Sequence, residues 1–273
     1  MHPSLIACLA ACWLMLVTPA RADPALVVGV LPYQGARTLI AAHRDLAEHL
    51  RGALKRPVKI VTARNARVFG QRLLAGDYDL ALAPAHLARL AQRDAGWHLL
   101  AMHRPDTPVY LMAESGTPGD PQPRAGITIA TPDRAMLVTL AAQRWLDTRF
   151  ALNAGDYTLI ETGSYSAALQ AVIDGQADFA VSALAAMGQV RPGHLDRVRI
   201  AHELGSVPLL VYIARPGWPA AGRSRLQAAL LKFPVTAPLR VVAAGKNSLD
   251  AMDVYLAATR QLLTENEGLA DAR

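Results

Sequence analysis

This 273-residue sequence has only two cysteines, Cys8 and Cys12, and both lie close to its start. A chain without further thiols has no disulfide framework, no thiolate metal site and no cysteine nucleophile after residue 12. The eight histidines are scattered and do not show the spacing of metal ligands. The sequence therefore predicts neither a bound metal nor a cofactor.

Sequence motifs of catalytic and nucleotide-binding sites are missing as well. We find no Gly-x-Ser-x-Gly elbow, no His-Glu-x-x-His pair and no P-loop. Asp77 and Asp79 flank the start of a predicted strand, where carboxylates commonly cap or turn the chain. These absences predict that the protein is not an enzyme and does not itself hydrolyse ATP.

Long apolar runs and charge clusters do not occur beyond the first 22 residues. No later apolar stretch reaches the roughly 18 residues that a membrane-spanning helix needs. The whole chain has a formal net charge of +6, and its basic residues are dispersed rather than collected in runs. Dispersed charge is typical of a solvated surface, so we expect no nucleic-acid partner.

The first 22 residues have the pattern of an export signal. A short apolar core from Leu5 to Val17 is followed by Ala20-Arg21-Ala22, the small-x-small pattern that signal peptidase accepts. We therefore expect cleavage after Ala22, a location in the periplasm, and a net charge of +5 without the leader. A segment ending at Cys12 also matches a lipobox, but the apolar core continues past it, which favours the first interpretation.

Short β-branched segments alternate with helical patterns over the first third of the predicted mature chain. The predicted strands are Leu26–Leu31, Pro57–Thr62 and Tyr78–Ala83, and the predicted helices are Thr38–Leu54, Val68–Leu74 and Pro84–Arg93. This β-α-β-α-β-α order predicts a mainly parallel sheet with helices on both faces.

Two pairs of extended segments without a helix between them interrupt this alternation. The pairs are Trp97–Met102 with Val109–Ala113, and Val198–Ala201 with Pro208–Ala214. The β-α pattern restarts between the pairs, and the last 50 or so residues are mostly helical. We interpret the pairs as crossings between two lobes: residues 23–112 and 205–273 form lobe 1, and residues 113–204 form lobe 2. The ligand cleft is expected between the lobes.

A family resemblance is carried by Val28–Tyr33, Leu73–Ala85 and Thr162–Val172, the last followed by Gly175 and Asp178. In this order these segments resemble the PhnD-like periplasmic solute-binding proteins of ABC transporters for phosphate, phosphite and phosphonate. The resemblance implies the class II binding-protein fold, with two α/β lobes joined by two hinge crossovers. It also implies a monomer that captures a small polar or oxyanionic solute and delivers it, without chemistry, to an inner-membrane permease. The alternative is a periplasmic sensor of the same fold that feeds a histidine kinase.

Ligands bind at the carboxyl ends of strands in open α/β sheets, where helix N-termini present free N–H groups to anionic oxygens. The predicted ligand-binding residues follow such strand ends or lie on the return crossing: Tyr33, Pro84, Ala85, His86, Thr131, Arg134, Ser164, Tyr165, Ser182 and Glu203. Tyr33 is expected to form a wall or donate a hydrogen bond, and Arg134 to pair with an oxyanion. Loop packing, helix capping and surface ion pairs are the alternative roles of these side chains.

The chain departs from the phosphonate-binding pattern of that family at three places. Residues 131–136 read Thr-Pro-Asp-Arg-Ala-Met instead of a Ser/Thr cluster, Ala66 stands where a tyrosine is frequent, and Ser182-Ala183 replaces an acidic residue. Asp133 would repel an anion unless its side chain faces away from the cleft. The resemblance thus implies the fold more firmly than it implies phosphonate as the ligand.

Overall fold

The computed structural model describes residues 24–265 with the exception of Thr117, Asp120 and Pro192. The expected export signal, its cleavage site and both cysteines lie outside these described residues. The helices and strands in chain order are β1 (Leu26–Val30), α1 (Ala36–Ala42), α2 (Arg44–Leu54), β2 (Val58–Val61), α3 (Ala66–Ala75), β3 (Leu80–Pro84), α4 (Ala85–Asp94), β4 (His98–Arg104), β5 (Thr107–Glu114), β6 (Thr128–Thr131), α5 (Leu137–Phe150), β7 (Thr158–Glu161), α6 (Tyr165–Ile173), β8 (Phe179–Ala183), α7 (His194–Arg197), β9 (Val198–Val207), β10 (Leu210–Ala214), α8 (Ala220–Leu231), β11 (Arg240–Ala243) and α9 (Leu256–Thr264). The 3₁₀ helices Leu184–Gln189 and Asp250–Tyr255 follow β8 and precede α9.

Two sheets flanked by helices form the two lobes that the sequence pattern predicts. The first sheet has the order β11-β4-β10-β3-β1-β2, in which β1, β2 and β3 are parallel and the other pairs are antiparallel. The second has the order β7-β6-β8-β5-β9, in which β6, β7 and β8 are parallel. The parallel strands come from the predicted β-α-β units. The strands of the crossings pair antiparallel to them, so each sheet is mixed rather than mainly parallel.

The chain crosses between the sheets twice, each time through a two-residue connection. Pro105-Asp106 joins β4 to β5, and Pro208-Leu209 joins β9 to β10. Strands β5 and β9 pair with each other along their length, so both belong to the second sheet. The lobe boundaries expected after residues 112 and 204 fall inside these two strands. We therefore propose that the lobes divide at the two connections.

Three local features differ from the sequence-based expectations. The helix expected over Thr38–Leu54 is divided into α1 and α2 at His43, whose ring Nδ1 bonds to the carbonyl of Leu39 at 2.9 Å. Strand β11 forms in a region expected to be mostly helical, because its four residues complete the edge of the first sheet beside β4. The end of the chain, expected to be mostly helical, forms the 3₁₀ helix Asp250–Tyr255 and becomes α-helical only at α9.

Gly29 on β1 lies where a side chain has no room. A Cβ atom at this position would lie 2.5 Å from Cγ of Tyr78, whose ring is stacked on Phe69 with 5.3 Å between ring centroids. Tyr78 is 2 % exposed and cannot move without disturbing this stack. The glycine therefore sets the distance at which α3 and the loop before β3 pack on the first sheet.

We expect Gly29→Ala to lower the free energy of unfolding by about 1–3 kcal/mol, because the added methyl group overpacks the core. Urea denaturation of the purified protein measures the change. The control is Gly52→Ala on α2, where nothing lies within 4 Å of the new Cβ. That exposed helical site gains about 0.5–1 kcal/mol from alanine. Equal stability of the two variants would contradict the close packing of Tyr78 on β1.

Candidate functional site

A cavity of about 360 Å³ lies between the two sheets. Its walls come from both lobes, at the carboxyl ends of β1 and β3 on one side and of β6 and β8 on the other, and from the hinge segment Val207–Leu210. This is the position that open α/β sheets use for ligands. Its polar side chains are Tyr33, His43, His103, Thr107, Tyr165 and Tyr212.

Tyr165 and Tyr212 bring buried hydroxyl groups to the cavity. Tyr165 is 8 % exposed at the start of α6, and Tyr212 is 1 % exposed on β10. Neither hydroxyl makes a hydrogen bond to another described residue, and both side chains line the cavity. Burial raises the pKa of both phenols above the ordinary value, so both remain protonated at neutral pH. A hydroxyl that lines the cavity without a protein partner can donate a hydrogen bond to a bound molecule.

His43 and His103 are neutral groups at the same cavity. The Nδ1 atoms lie 2.9 Å from the Leu39 carbonyl and 3.0 Å from the Leu210 carbonyl, so each Nδ1 carries the proton that it donates. Burial lowers the pKa of both imidazoles, and the backbone hydrogen bonds only partly oppose this effect. Each Nε2 atom is therefore a hydrogen-bond acceptor. The hydroxyl of Tyr33 lies 3.4 Å from Nε2 of His43.

The first turn of α5 presents free backbone amides to the cavity. Met136 precedes the helix and makes no side-chain capping hydrogen bond. The N–H groups of Leu137 and Val138 have no partner among the hydrogen bonds of the described residues, and both residues line the cavity. The positive end of the helix dipole adds to these donors, so this turn favours an anionic oxygen.

Other helix starts around the cavity are partly occupied by groups of the protein itself. The first N–H group of α3, at Ala66, donates to Oδ2 of Asp133 at 3.0 Å. The hydroxyl of Ser164 accepts from the Ala167 amide and caps α6. The first two residues of α4, Ala85 and His86, do not line the cavity. The start of α5 differs from these in that two cavity-lining residues, Leu137 and Val138, keep their amides free without a capping side chain.

Two hydrogen bonds connect the lobes. Asp133 of the second lobe reaches Ala66 of the first, and His86 of the first lobe reaches the carbonyl of Ala135 at 3.0 Å. The carboxylate of Asp133 also accepts from the Ala135 amide and does not line the cavity. Two backbone amides hold its oxygens, but its charge still acts on the Tyr165 hydroxyl, whose pKa it helps to raise. Burial raises its pKa, although the two amide donors oppose the shift.

Three of the predicted ligand-binding residues line the cavity: Tyr33, Pro84 and Tyr165. Ala85 and His86 are fully buried behind Pro84, in the first turn of α4. Their amides were expected to bind an anion, but neither residue is among those that line the cavity. The ring of His86 instead serves the contact between the lobes.

The other five predicted residues have structural surroundings away from the cavity lining. Thr131 is fully buried and shares a hydrogen bond with the hydroxyl of Thr139. Arg134 points outward, where it donates to the Leu159 carbonyl and lies 3.8 Å from Glu161. The remaining three are Ser164, which caps α6, Ser182, which is buried with an unpartnered Oγ, and Glu203, which is exposed on β9.

Sequence reasoning missed five polar or donor-bearing parts of the cavity. These are His43, His103, Thr107, Tyr212 and the first turn of α5. A sequence signal existed for His103 and Tyr212, because both lie on or directly beside the extended segments of the predicted crossings. In the structure, the centroids of their rings lie 5.3 Å apart. Strand alternation on a hinge strand places every second side chain beside the cleft. No comparable signal marked His43, which sits where a continuous helix was expected.

Within the described ranges, no group of three or more His, Asp or Glu side chains is arranged to hold a metal ion. None of the helices in that part of the chain has the length and apolar content needed to cross a membrane.

Comparison with known proteins supports a binding function for such a cavity. The model of the family described as "ABC transporter, phosphonate, periplasmic substrate-binding protein" matches residues 28–258. The chain belongs to this family. Members of the phosphonate-type family are periplasmic binding proteins that hold a small ligand and interact with an ABC permease, and they are not enzymes. No curated protein sequence matches the chain.

Solved structures of several periplasmic proteins share the fold. A binding protein component of an ABC phosphonate transporter from Pseudomonas aeruginosa is 14 % identical, with a TM-score of 0.73 over 89 % of this chain and 90 % of that one. PhnD1 from Prochlorococcus marinus, in complex with methylphosphonate, is 11 % identical, with a TM-score of 0.75 over 87 % and 98 %. The periplasmic VFT2 domain of Bordetella pertussis BvgS is 18 % identical, with a TM-score of 0.51 over 84 % and 92 %. At these identities the likeness shows the two-lobed fold.

Proposed function

We propose that this chain is a monomeric receptor that captures a small oxyanionic solute between its lobes and passes it to an ABC permease without chemical change. The observation that carries the proposal is the meeting of unpartnered donors in one cavity. The hydroxyls of Tyr165 and Tyr212 and the amides of Leu137 and Val138 all belong to residues that line it. The proposed export of the chain, with cleavage after Ala22, would place this cavity in the periplasm.

Neutral donors are sufficient to hold an anion in such a site. A helix N-terminus carries roughly half a positive elementary charge, and hydrogen bonds to a charged oxygen contribute about 1.5–3 kcal/mol each. The cavity of about 360 Å³ lies at the lower end of the about 300–1,000 Å³ range of small-molecule sites. The solute is therefore a compact molecule with a few acceptor oxygens.

Thermal unfolding of the purified mature protein tests the proposal. Phosphate, methylphosphonate, phenylphosphonate and benzenesulfonate are added in turn, each at several concentrations. A ligand at 100 times its Kd stabilises the folded state by about 2.7 kcal/mol, and the Tm rises with its concentration. No shift with any member of a broad panel of oxyanions would refute capture of an oxyanion. Turnover of one of them would refute a function without chemistry.

Tyr165→Phe is expected to weaken binding of the panel member with the largest shift by about 10- to 100-fold, because one hydrogen bond of about 1.5–3 kcal/mol to a charged oxygen is lost. Isothermal titration calorimetry gives the Kd values. Tyr110→Phe is the matched control, because Tyr110 is equally buried on β5 but does not line the cavity. An equal loss in both variants would show that the Tyr165 hydroxyl does not contact the ligand.

A sensor that presents its closed form to a histidine kinase remains the second proposal. The fold likeness to the periplasmic VFT2 domain of BvgS supports it, since that domain is not described as a transporter component. Genes for a permease and an ATPase beside the gene of this chain would support import. Genes for a kinase and a response regulator in that place would support sensing. The cavity serves ligand capture in both cases.

A further inference from the structure

The cavity has no charged wall. Among its described lining residues there is no Asp, Glu, Lys or Arg, and burial lowers the pKa of His43 and His103, which keeps both uncharged. Most of the remaining surface is aliphatic or aromatic and comes from both lobes: Leu31, Leu46, Leu82, Met136, Leu137, Val138, Val207, Leu210, Phe233, Val235 and Leu239. A molecule in this cavity therefore contacts apolar groups over most of its surface.

The hydrogen-bond donors of the cavity belong to few groups. One amide of α3 is bonded to Asp133 and one of α6 to Ser164, whereas Leu137 and Val138 in the first turn of α5 keep their amides free. Tyr165 and Tyr212 add two hydroxyls that make no hydrogen bond to another described residue. An inorganic oxyanion that needs donors on all its oxygens is poorly served by this set.

One loop supplies an apolar wall at the rim of the cavity. Phe233, Val235 and Leu239 lie between α8 and β11, and all three line the cavity. Leu239 is 38 % exposed, so it lies at the boundary between cavity and solvent. A charged group of a ligand that reached this wall would lose water and gain no ion pair.

We infer that the solute is an organic acid with a single oxyanion head and an aromatic or branched aliphatic body, and that the cavity rejects ligands with an ammonium group. This inference rests on the proposed function and names the class of its ligand. The head accepts from the α5 amides and the tyrosine hydroxyls, while the body lies against the apolar wall. Specificity then comes from two effects: burial of the body favours the right ligand, and the missing carboxylate disfavours a zwitterion.

Calorimetric measurement of the affinities of five related oxyanions tests the inference. Phenylphosphonate, methylphosphonate, 2-aminoethylphosphonate and inorganic phosphate are titrated into the full-length mature protein, with phenylacetate as the carboxylate arm. We expect phenylphosphonate to bind at least tenfold more tightly than methylphosphonate, because the ring buries additional apolar surface. We expect 2-aminoethylphosphonate and phosphate to bind more weakly than methylphosphonate. If phenylacetate binds as tightly as phenylphosphonate or more tightly, the head group of the natural ligand is a carboxylate, and the ligand is still an organic acid with an apolar body.

The outcomes separate this inference from the proposed function. Tighter binding of phosphate or 2-aminoethylphosphonate than of phenylphosphonate would overturn the apolar body and leave capture of an oxyanion intact. Binding of none of the five compounds would count against the inference and the proposed function together.

A charge placed on the apolar wall provides a second test. Leu239→Glu is expected to strengthen binding of 2-aminoethylphosphonate and to weaken that of phenylphosphonate, each by several-fold, because the new carboxylate attracts an ammonium group and repels the anion. Leu231→Glu is the matched control, since Leu231 is 40 % exposed on α8 and does not line the cavity. Unchanged relative affinities in Leu239→Glu, with folding intact, would show that the ligand body does not reach this wall.

Discussion

Replacing Leu137 with proline is expected to weaken phenylphosphonate binding by about 10- to 100-fold, the loss of a hydrogen bond of about 1.5–3 kcal/mol to a charged oxygen. Proline at the first helical position removes only an N–H group that the helix itself does not use. The preceding residue must be extended, and Met136 already has φ −81° and ψ 144°. Helix α5 should therefore form normally without the donor.

The control for this variant is Leu137→Ala, which removes the same side chain and keeps the amide. The Leu137 side chain is 4 % exposed, so both variants lose apolar contacts and some stability. Calorimetry gives the two Kd values, and circular dichroism verifies that the helix content is unchanged. The difference between the variants isolates the amide. Equal affinities would mean that the first turn of α5 does not bind the head group.

Acidification is expected to destabilise the protein by about 3 kcal/mol between pH 6.5 and pH 4 through His86 alone. Burial lowers the pKa of His86 to about 4, from an ordinary value of about 6.5. Between these values the unfolded chain binds a proton that the folded protein does not, so the free energy of unfolding falls as the pH falls. Above pH 6.5 the imidazole is neutral in both states and the contribution is complete.

His86→Gln tests this explanation, because an amide can still donate to the Ala135 carbonyl but does not titrate. The imidazole is fully buried, and its Nδ1 has no partner among the described residues, so the neutral ring itself is not tied to a second group. Urea denaturation at pH 7.5 and pH 4.5 gives the acid-induced loss for each protein. The loss should be smaller in the variant by most of the His86 contribution. An identical loss in both would assign the acid sensitivity to other groups, such as His43 and His103.

The repeating units of the fold were predictable from sequence because they are local. The parallel strands and the helices between them follow hydrophobic periodicity, and Gly76 and Gly175 end the helices before β3 and β8 in positive-φ conformations of 80° and 70°. Strand β11 was not predictable, because it has four residues and its stability comes from pairing with β4. The lobe boundaries were not predictable for the same reason, because they depend on the strands with which β5 and β9 pair.

The candidate site was predictable in location but only partly in its residues. Strand-end logic found Tyr33, Pro84 and Tyr165, because these follow the carboxyl ends of parallel strands or begin a helix there. The direction of a side chain at such a position depends on distant partners. His86 turns to a carbonyl of the other lobe, and Asp133 occupies the helix start of α3. The apolar character of the cavity also escaped detection, because its lining is gathered from segments far apart in sequence.

The hydrogen bonds between Asp133 and Ala66 and between His86 and Ala135 consist of protein atoms alone. They stabilise the arrangement of the two lobes around the cavity by the same amount for every solute. The apparent affinity for any solute depends on the fraction of molecules that are competent to bind, and these contacts set part of that fraction. Evolution can therefore adjust the overall strength of capture at Asp133 and His86 while leaving the order of preference among solutes, which the cavity wall determines, unchanged.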